Sequence, residues 1–217
     1  MKLQLNSKPF VAKLLIAQEA EREMLAHELH DDLCQRLAAI VIEAGVLEKH
    51  LEGGASYEKL KRIKQELVNV AKDTHTLSHR LLPAMLSEFG LKEALRHEVE
   101  ETSSKSDISI AFAASTVQVI VHPQIELMIF RIAQESIANA MQHSSASHIQ
   151  VNLMVTPEKL TLQIEDNGSG FAIDAIPPSS GIGLQMMRER AKLIEAKLYF
   201  RSQPAHGTTV ELILKPS

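Results

Sequence analysis

The sequence predicts a chain of two parts, an antiparallel helical hairpin that pairs into a four-helix bundle and then an α/β sandwich. Three observations predict it. Apolar residues recur at heptad spacing in two runs joined by Gly53-Gly54, and from Leu91 onward the pattern turns to mixed helix and strand. Five of the nine glycines (Gly168, Gly170, Gly181, Gly183 and Gly207) gather in the last quarter.

Composition sets the outer limits. The chain has 217 residues, 45% apolar and 23% charged, enough for one large domain or two small ones in an ordinary folded protein. A net charge of −4 leaves no basic footprint for direct nucleic-acid binding. The single cysteine, Cys34, excludes an intrachain disulfide and favours a reducing compartment. No apolar run approaches the ~18–20 residues that span a bilayer. The stretch 10–16 is short, contains Lys13 and lacks a cleavage pattern. A soluble, cytoplasmic chain is expected, tied to a membrane only through a sensor region outside it.

The first run carries Leu29, Leu33, Leu37, Ile40, Ala44, Leu47 and Leu51, and the second Leu60, Ile63, Leu67, Val70, Thr74, Leu77 and Leu81. Both read as heptad seams. Two helices with one narrow seam each enclose no core of their own, so a homodimer is the economical prediction. Upstream, 11–22 continues in helical character with a poorer seam, which suits an input helix.

On the first helix, His30 follows seam residue Leu29 and is turned about 100° from the buried line. Asp31 and Gln35, four apart, share a stripe beside it. A neutral imidazole can attack phosphorus, and a neighbouring carboxylate can orient the ring and stabilise its developing charge. Zinc-protease geometry is missing, because His27 and His30 are three apart rather than four. His75 and His79 have the four-residue spacing but no third ligand candidate nearby, and read as a solvated face.

The second part reads as a helix over 91–104, strands near 108–113 and 117–121, and a helix over 123–143 with Pro123 in its first turn. Strands near 149–155 and 160–165, a helix over 183–196, and strands near 198–202 and 208–214 follow. Strands arriving mostly as adjacent pairs predict a mixed sheet with helices on one face. On the 123–143 helix, Glu135, Asn139 and Gln142 lie opposite the apolar side. Oxygen ligands of this kind suit Mg²⁺ held together with nucleotide phosphates. Asp166-Asn167-Gly168 alone would be a hairpin turn. Gly170 and then Gly181-Ile182-Gly183 at a helix start raise it to a phosphate cradle, since glycine lets backbone approach a ligand and free helix N–H groups attract phosphate. The intervening 172–180 segment reads as a mobile cover. GxxxxGK[ST] and GxGxxG are both absent.

Taken together, Glu28-Leu29-His30-Asp31 through Gln35, Leu82-Pro83 with Gly90-Leu91, Gln134-Glu135-Ser136 with Asn139-Ala140, Asp166 to Phe171, Gly181 to Leu184, Met187 to Arg190 and Gly207-Thr208 resemble bacterial two-component sensor histidine kinases. The match is nearest the nitrate-sensor and membrane-thermosensor (DesK-like, NarL-partnering) subfamily, over about residues 20–217. The resemblance implies an input helix at 1–22, a dimerisation and histidine phosphotransfer domain at 23–88 and a catalytic domain of the GHKL (Bergerat) ATP-binding type at 89–217. It implies His30 as phosphoacceptor, Asp31 as its acid-base partner, and Gln35 as the residue orienting a water that hydrolyses a regulator's phosphoaspartate. It further implies Asn139 as Mg²⁺ ligand, Glu135 assisting at the phosphates, His143 among the nucleotide-binding residues, and Asp166 accepting from the adenine amino group. Gly168, Gly170, Gly181, Gly183 and Leu184 would shape the pocket and lid, with Thr208 near the adenine. ATP and Mg²⁺ are the implied cofactors. A second copy and a response-regulator receiver domain, with a helix-turn-helix output, are the implied partners. Departures are Cys34 where glycine is common, one turn above His30 and able to narrow access, Gln142 in place of a lysine, and Ile194-Glu195-Ala196 in place of a Gly-Gly pair. Two rival readings are an ATP-binding regulator of the anti-sigma or ATPase kind and a coiled-coil adaptor with a degenerate nucleotide domain.

Overall fold

A computed structural model of the chain describes residues 10–51, 53–81, 84–115, 121–172 and 181–215. Two compact units are present, one of Lys13–Ala84 and one whose bulk is Met85–Ser217.

In the first unit, α1 (Phe10–Glu28) runs through a π-helical turn, Leu29–Cys34, into α2 (Gln35–His50). Gly53 and Gly54, both at positive φ, reverse the chain into α3 (Ala55–Leu81). Lys64 Nζ donates to Glu48 Oε2 at 2.7 Å, tying the two arms, and this bond holds the Glu48 carboxyl below its ordinary range. Deeper along the hairpin, the buried Ser78 hydroxyl donates to the Ala26 carbonyl at 3.0 Å.

The predicted seam is not one line. Leu37, Ala44, Leu60, Leu67, Thr74 and Leu81 are half-buried or buried between the arms of one hairpin. Leu33, Ile40 and Leu47 on one arm, and Ile63, Val70 and Leu77 on the other, stay 42–59% exposed. Each exposed set repeats every seventh residue, so each forms a stripe along its helix. The physical reason is that a heptad has two apolar positions, and only one of them is satisfied within the chain. The turn is a second correction. Leu29-Leu33-Leu37 spacing predicts an uninterrupted α-helix, whereas the π turn leaves Leu33 exposed and Cys34 half-buried, in line with Leu37, Val41 and Ala44.

The second unit opens with α4 (Ala84–Ser104), which breaks at Gly90. With φ 78° and ψ 179°, Gly90 has a backbone conformation that a side chain disfavours. The helix restarts at Leu91, whose N–H is accepted by the Glu126 carboxylate, and burial raises the Glu126 pKa against that bond. Next come β1 (Ser109–Ala114), α5 (Pro123–His143), β2 (His148–Val155), β3 (Leu160–Asp166), α6 (Ile182–Leu193), β4 (Lys197–Ser202) and β5 (Thr208–Leu214). The expected strand at 117–121 falls almost wholly outside the described residues.

The sheet order is β1-β2-β3-β5-β4, with β1 parallel to β2 and every other pair antiparallel. Alternate residues (Val151, Leu162 and Leu212, with their neighbours two along) point to one face and are buried. They share a core with Leu91 and Leu95 of α4, Ile129, Ile132 and Ile137 of α5, and Met187 and Ala191 of α6. The sheet is thus covered by helices on one side, as a mixed α/β layer requires. This packing turns one flank of α5 toward the C-terminal end of β3, where the site lies.

Candidate nucleotide site and phosphoacceptor turn

The helix α5 positions the first site residues. His122 caps α5 by accepting the Gln124 N–H, and Pro123 occupies the first turn, where its missing N–H costs nothing. With Ile129, Ala133, Ile137 and Ala140 fixed in the core, the helical period places Glu135, Asn139, Gln142 and His143 along the rim of a cavity of about 750 Å³. Asn139 Nδ2 donates to Glu135 Oε1 at 3.3 Å, so amide and carboxylate form one polar edge.

Asp166 ends β3 at the far side of the cavity, buried to 6% exposure. One of its carboxylate oxygens accepts the Gly168 N–H at 2.9 Å, which fixes the ring-like turn and leaves a second oxygen for a ligand donor. Gly168 itself does not line the cavity. A side chain there would collide with Ser144, so its role is to let the β3 end pack on the end of α5. Asn167 ties the same corner, accepting the N–H groups of Ser147 and His148 at 3.0 Å each. Gly170 does line the cavity, at φ +56°, with the carbonyls of Gln203 and Gly207 where a Cβ would stand.

Gly181 precedes α6 and Gly183 sits in its first turn, against the Glu135 carboxylate. The glycine allows the α6 N-terminus, with its unpaired N–H groups, to approach the α5 edge closely enough to share one ligand. Leu184 and Thr208 also line the cavity. Residues 173–180, read from sequence as a cover, lie outside the described residues. Glu195 carries the left-handed conformation (φ 57°) at the turn where the resemblance has glycine.

Several lining residues escaped the sequence reading: Ile164, Met187 and Val210 form the apolar floor, and Phe171 lies beside them. The strand alternation of β3 and β5 was the available signal for Ile164 and Val210. Ser202 is the other omission. Its hydroxyl accepts the Phe171 N–H at 2.9 Å and lies 3.0 Å from both the Gly207 carbonyl and the Thr208 hydroxyl. It pins the glycine loop to β5, and nothing in a lone serine at a strand end announces this.

Polar, phosphate-attracting groups thus stand at one end of the cavity and a buried carboxylate with an apolar floor at the other. A cavity of this size and lining has the room and the chemistry for a nucleotide. Among the described residues no cluster of three His, Cys, Asp or Glu side chains could hold a metal ion. A Mg²⁺ ion would fit here only as a partner of phosphates, and the Asn139 amide oxygen is of the ligand type that could hold it.

The other candidate residues lie in the first unit. His30 and Asp31 fall on the π turn, and their side chains lie outside the described set. Gln35 begins α2 and is exposed, and Asp32 pairs with Arg36 at 3.2 Å on the surface. Cys34 is half-buried on the inner line of the hairpin. No helix among the described residues is long and apolar enough to cross a membrane.

Comparison with known proteins agrees with both halves. Residues 21–86 match the histidine kinase family HisKA_3, and residues 124–217 match HATPase_c, the histidine kinase-, DNA gyrase B- and HSP90-like ATPases. The oxygen sensor histidine kinase NreB of Staphylococcus carnosus (strain TM300) is 28% identical over 92% of this chain, which spans 58% of that protein's length. Among solved structures, the histidine kinase domain of the Erythrobacter litoralis EL346 blue-light activated histidine kinase aligns over 83% of this chain and 94% of its own, with 18% identity and a TM-score of 0.51. The longer structure of that kinase aligns over 76% of this chain and 64% of its own, with 22% identity and a TM-score of 0.53. A HisKA_3 region followed by an HATPase_c domain gives this chain the two parts of a HisKA_3-type sensor histidine kinase catalytic core.

Proposed function

We propose that the chain autophosphorylates on His30 from Mg-ATP, passes the phosphoryl group to an aspartate of a response-regulator receiver domain, and removes it again with the help of Gln35. The observation that carries this reading is the joint presence of a nucleotide cavity bounded by Asp166, Glu135, Asn139 and Gly183 and a HisKA_3 hairpin bearing His30-Asp31 with Gln35.

ATP would lie with its adenine amino group donating to Asp166 and its apolar face on Ile164, Met187 and Val210. Its phosphates would run toward the α6 N-terminus. Mg²⁺ bound by Asn139 would neutralise phosphate charge. A ring nitrogen of His30, Nε2 in this reading, forms the new bond to the γ-phosphorus as the bridging oxygen leaves with ADP. Asp31 holds the other ring nitrogen's proton and balances the positive charge on the ring. Positioning and charge neutralisation supply most of the rate, as is general for phosphoryl transfer.

Two surfaces support the partners. The exposed stripes Leu33-Ile40-Leu47 and Ile63-Val70-Leu77 suit a second copy of the hairpin, giving a four-helix homodimer. A separate strip on the far side of α2, with Ile42 at 68% and Val46 at 51% exposure in line with Gln35, remains for a receiver domain. The three parts read as input helix 1–22, phosphotransfer domain 23–88 and ATP-binding domain 89–217.

The reading is tested by incubating the chain with Mg²⁺, labelled ATP and a panel of receiver domains. Label should appear on the chain and then on one receiver, and Gln35→Ala should prolong the receiver's label while leaving autophosphorylation intact. Label that never leaves the chain for any receiver, or equal loss of both activities in Gln35→Ala, contradicts it.

A further inference from the structure

We infer that the extra residue in the π turn Leu29–Cys34 is the positioning device that brings Gln35 over His30. The inference rests on the reading of His30 and Gln35 given above. In an α-helix the residue four positions on stands over the first, and residues five apart are about 140° apart around the axis. A π turn closes its hydrogen bonds over five residues, so the fifth residue takes that place. His30 and Gln35 are five apart, and the π turn begins one residue before His30 and ends one residue before Gln35. An uninterrupted α-helix would put Cys34 over His30 and turn Gln35 away.

Burial carries the same signature independently. The inner line of the hairpin runs through Ala26 and Leu29 and resumes at Cys34, Leu37 and Val41, in steps of three, five, three and four. The step of five is one residue more than an α-helical line takes, and it falls on the turn. The displaced residue, Leu33, points outward at 42% exposure. The turn is also held from outside: α3 packs against it, and the buried Ser78 hydroxyl donates to the carbonyl of Ala26, one turn before it. An inserted side-chain hydrogen bond of this kind is a known cause of departures from the α-helical ladder. One extra residue therefore serves two requirements at once. It keeps the inner faces of α1 and α2 on one side, and it aligns a residue at the fifth position with the phosphoacceptor.

Removal of Asp32, an exposed residue inside the turn, tests this. It shortens both the Leu29-to-Cys34 and the His30-to-Gln35 steps from five to four, which an ordinary α-helix satisfies. The variant is expected to stay dimeric with nearly unchanged melting, and to dephosphorylate a receiver domain that the parent chain has phosphorylated at close to the parent rate. Removal of Glu43, equally exposed but within α2, is the control: it turns part of the hairpin by about 100° and should lower melting by roughly 10 °C or more. Equal destabilisation by the two deletions overturns the inference, because the turn then holds no spare residue. A stable Asp32 deletion whose dephosphorylation falls about 100-fold, the scale of a small misplacement, also overturns it, provided Gln35→Ala impairs the parent. Full phosphatase activity in Gln35→Ala of the parent instead refutes the assignment of Gln35, and the melting comparison still judges the turn.

Discussion

Ile40→Glu should break the proposed homodimer, and its magnitude follows from exposure. Ile40 is 45% exposed in the single chain and lies midway along the Leu33-Ile40-Leu47 stripe. Full burial of an isoleucine side chain is worth about 1.5–3 kcal/mol, so the part left for a partner is worth about 1 kcal/mol. A symmetric dimer contains two copies, so about 2 kcal/mol is lost, a factor of about 30 in Kd. Burying the introduced carboxylate adds more, since an unpaired charge in an apolar seam is costly. The sum is a weakening of about 1,000-fold or more. Sedimentation equilibrium over a concentration series measures it. Ile42→Glu is the internal control, because Ile42 is more exposed, at 68%, but lies on the far side of α2. A dimer that survives Ile40→Glu, or that both substitutions weaken equally, refutes the assignment of the stripe.

Three further outcomes are expected. Asp166→Asn keeps an acceptor for the Gly168 N–H but loses the charge offered to adenine, so ATP should bind about 10–100-fold more weakly without a change in melting; isothermal titration with intact affinity would count against the base-end assignment. Gly170→Ala should lower melting and ATP binding together, because the position combines φ +56° with carbonyls occupying the Cβ site; normal melting and affinity would show that the loop tolerates a side chain. Glu98→Gln should be more stable than the parent at pH 7–8 and lose that advantage in acid. Burial holds the Glu98 carboxyl above its ordinary range, against the 3.0 Å bond from Gln134. Its favourable contribution is therefore present at low pH and lost as pH rises through the raised value. A pH-independent difference in melting would contradict that cause.

Much of the fold was legible because local signals agreed. Pro123 in the first turn and a two-faced period define α5 to its end residues, and alternation defines β2, β3 and β5. The site was legible where glycine and carboxylate recur, as at Asp166, Gly170 and Gly183, and illegible where a residue acts through hydrogen bonds of the folded loop, as at Ser202. Gly168 was placed in the pocket by motif, yet its closeness to Ser144 shows a packing role. The π turn was hidden because Leu29, Leu33 and Leu37 satisfy α-helical spacing as well as Leu29, Cys34 and Leu37 satisfy the observed one. Apolar pattern alone does not separate two registers that are both apolar. The split of the heptad seam was hidden for a similar reason, since intrachain and partner-facing positions carry the same residue types.

The central claim is that His30 receives the phosphoryl group bound in the cavity of the second unit. Incubation with Mg²⁺ and γ-labelled ATP, followed by acid and base treatment of the protein, tests it most directly. Label that is acid-labile, base-stable and absent from His30→Gln is the predicted result. Acid-stable label, or label that persists in His30→Gln, would contradict the account.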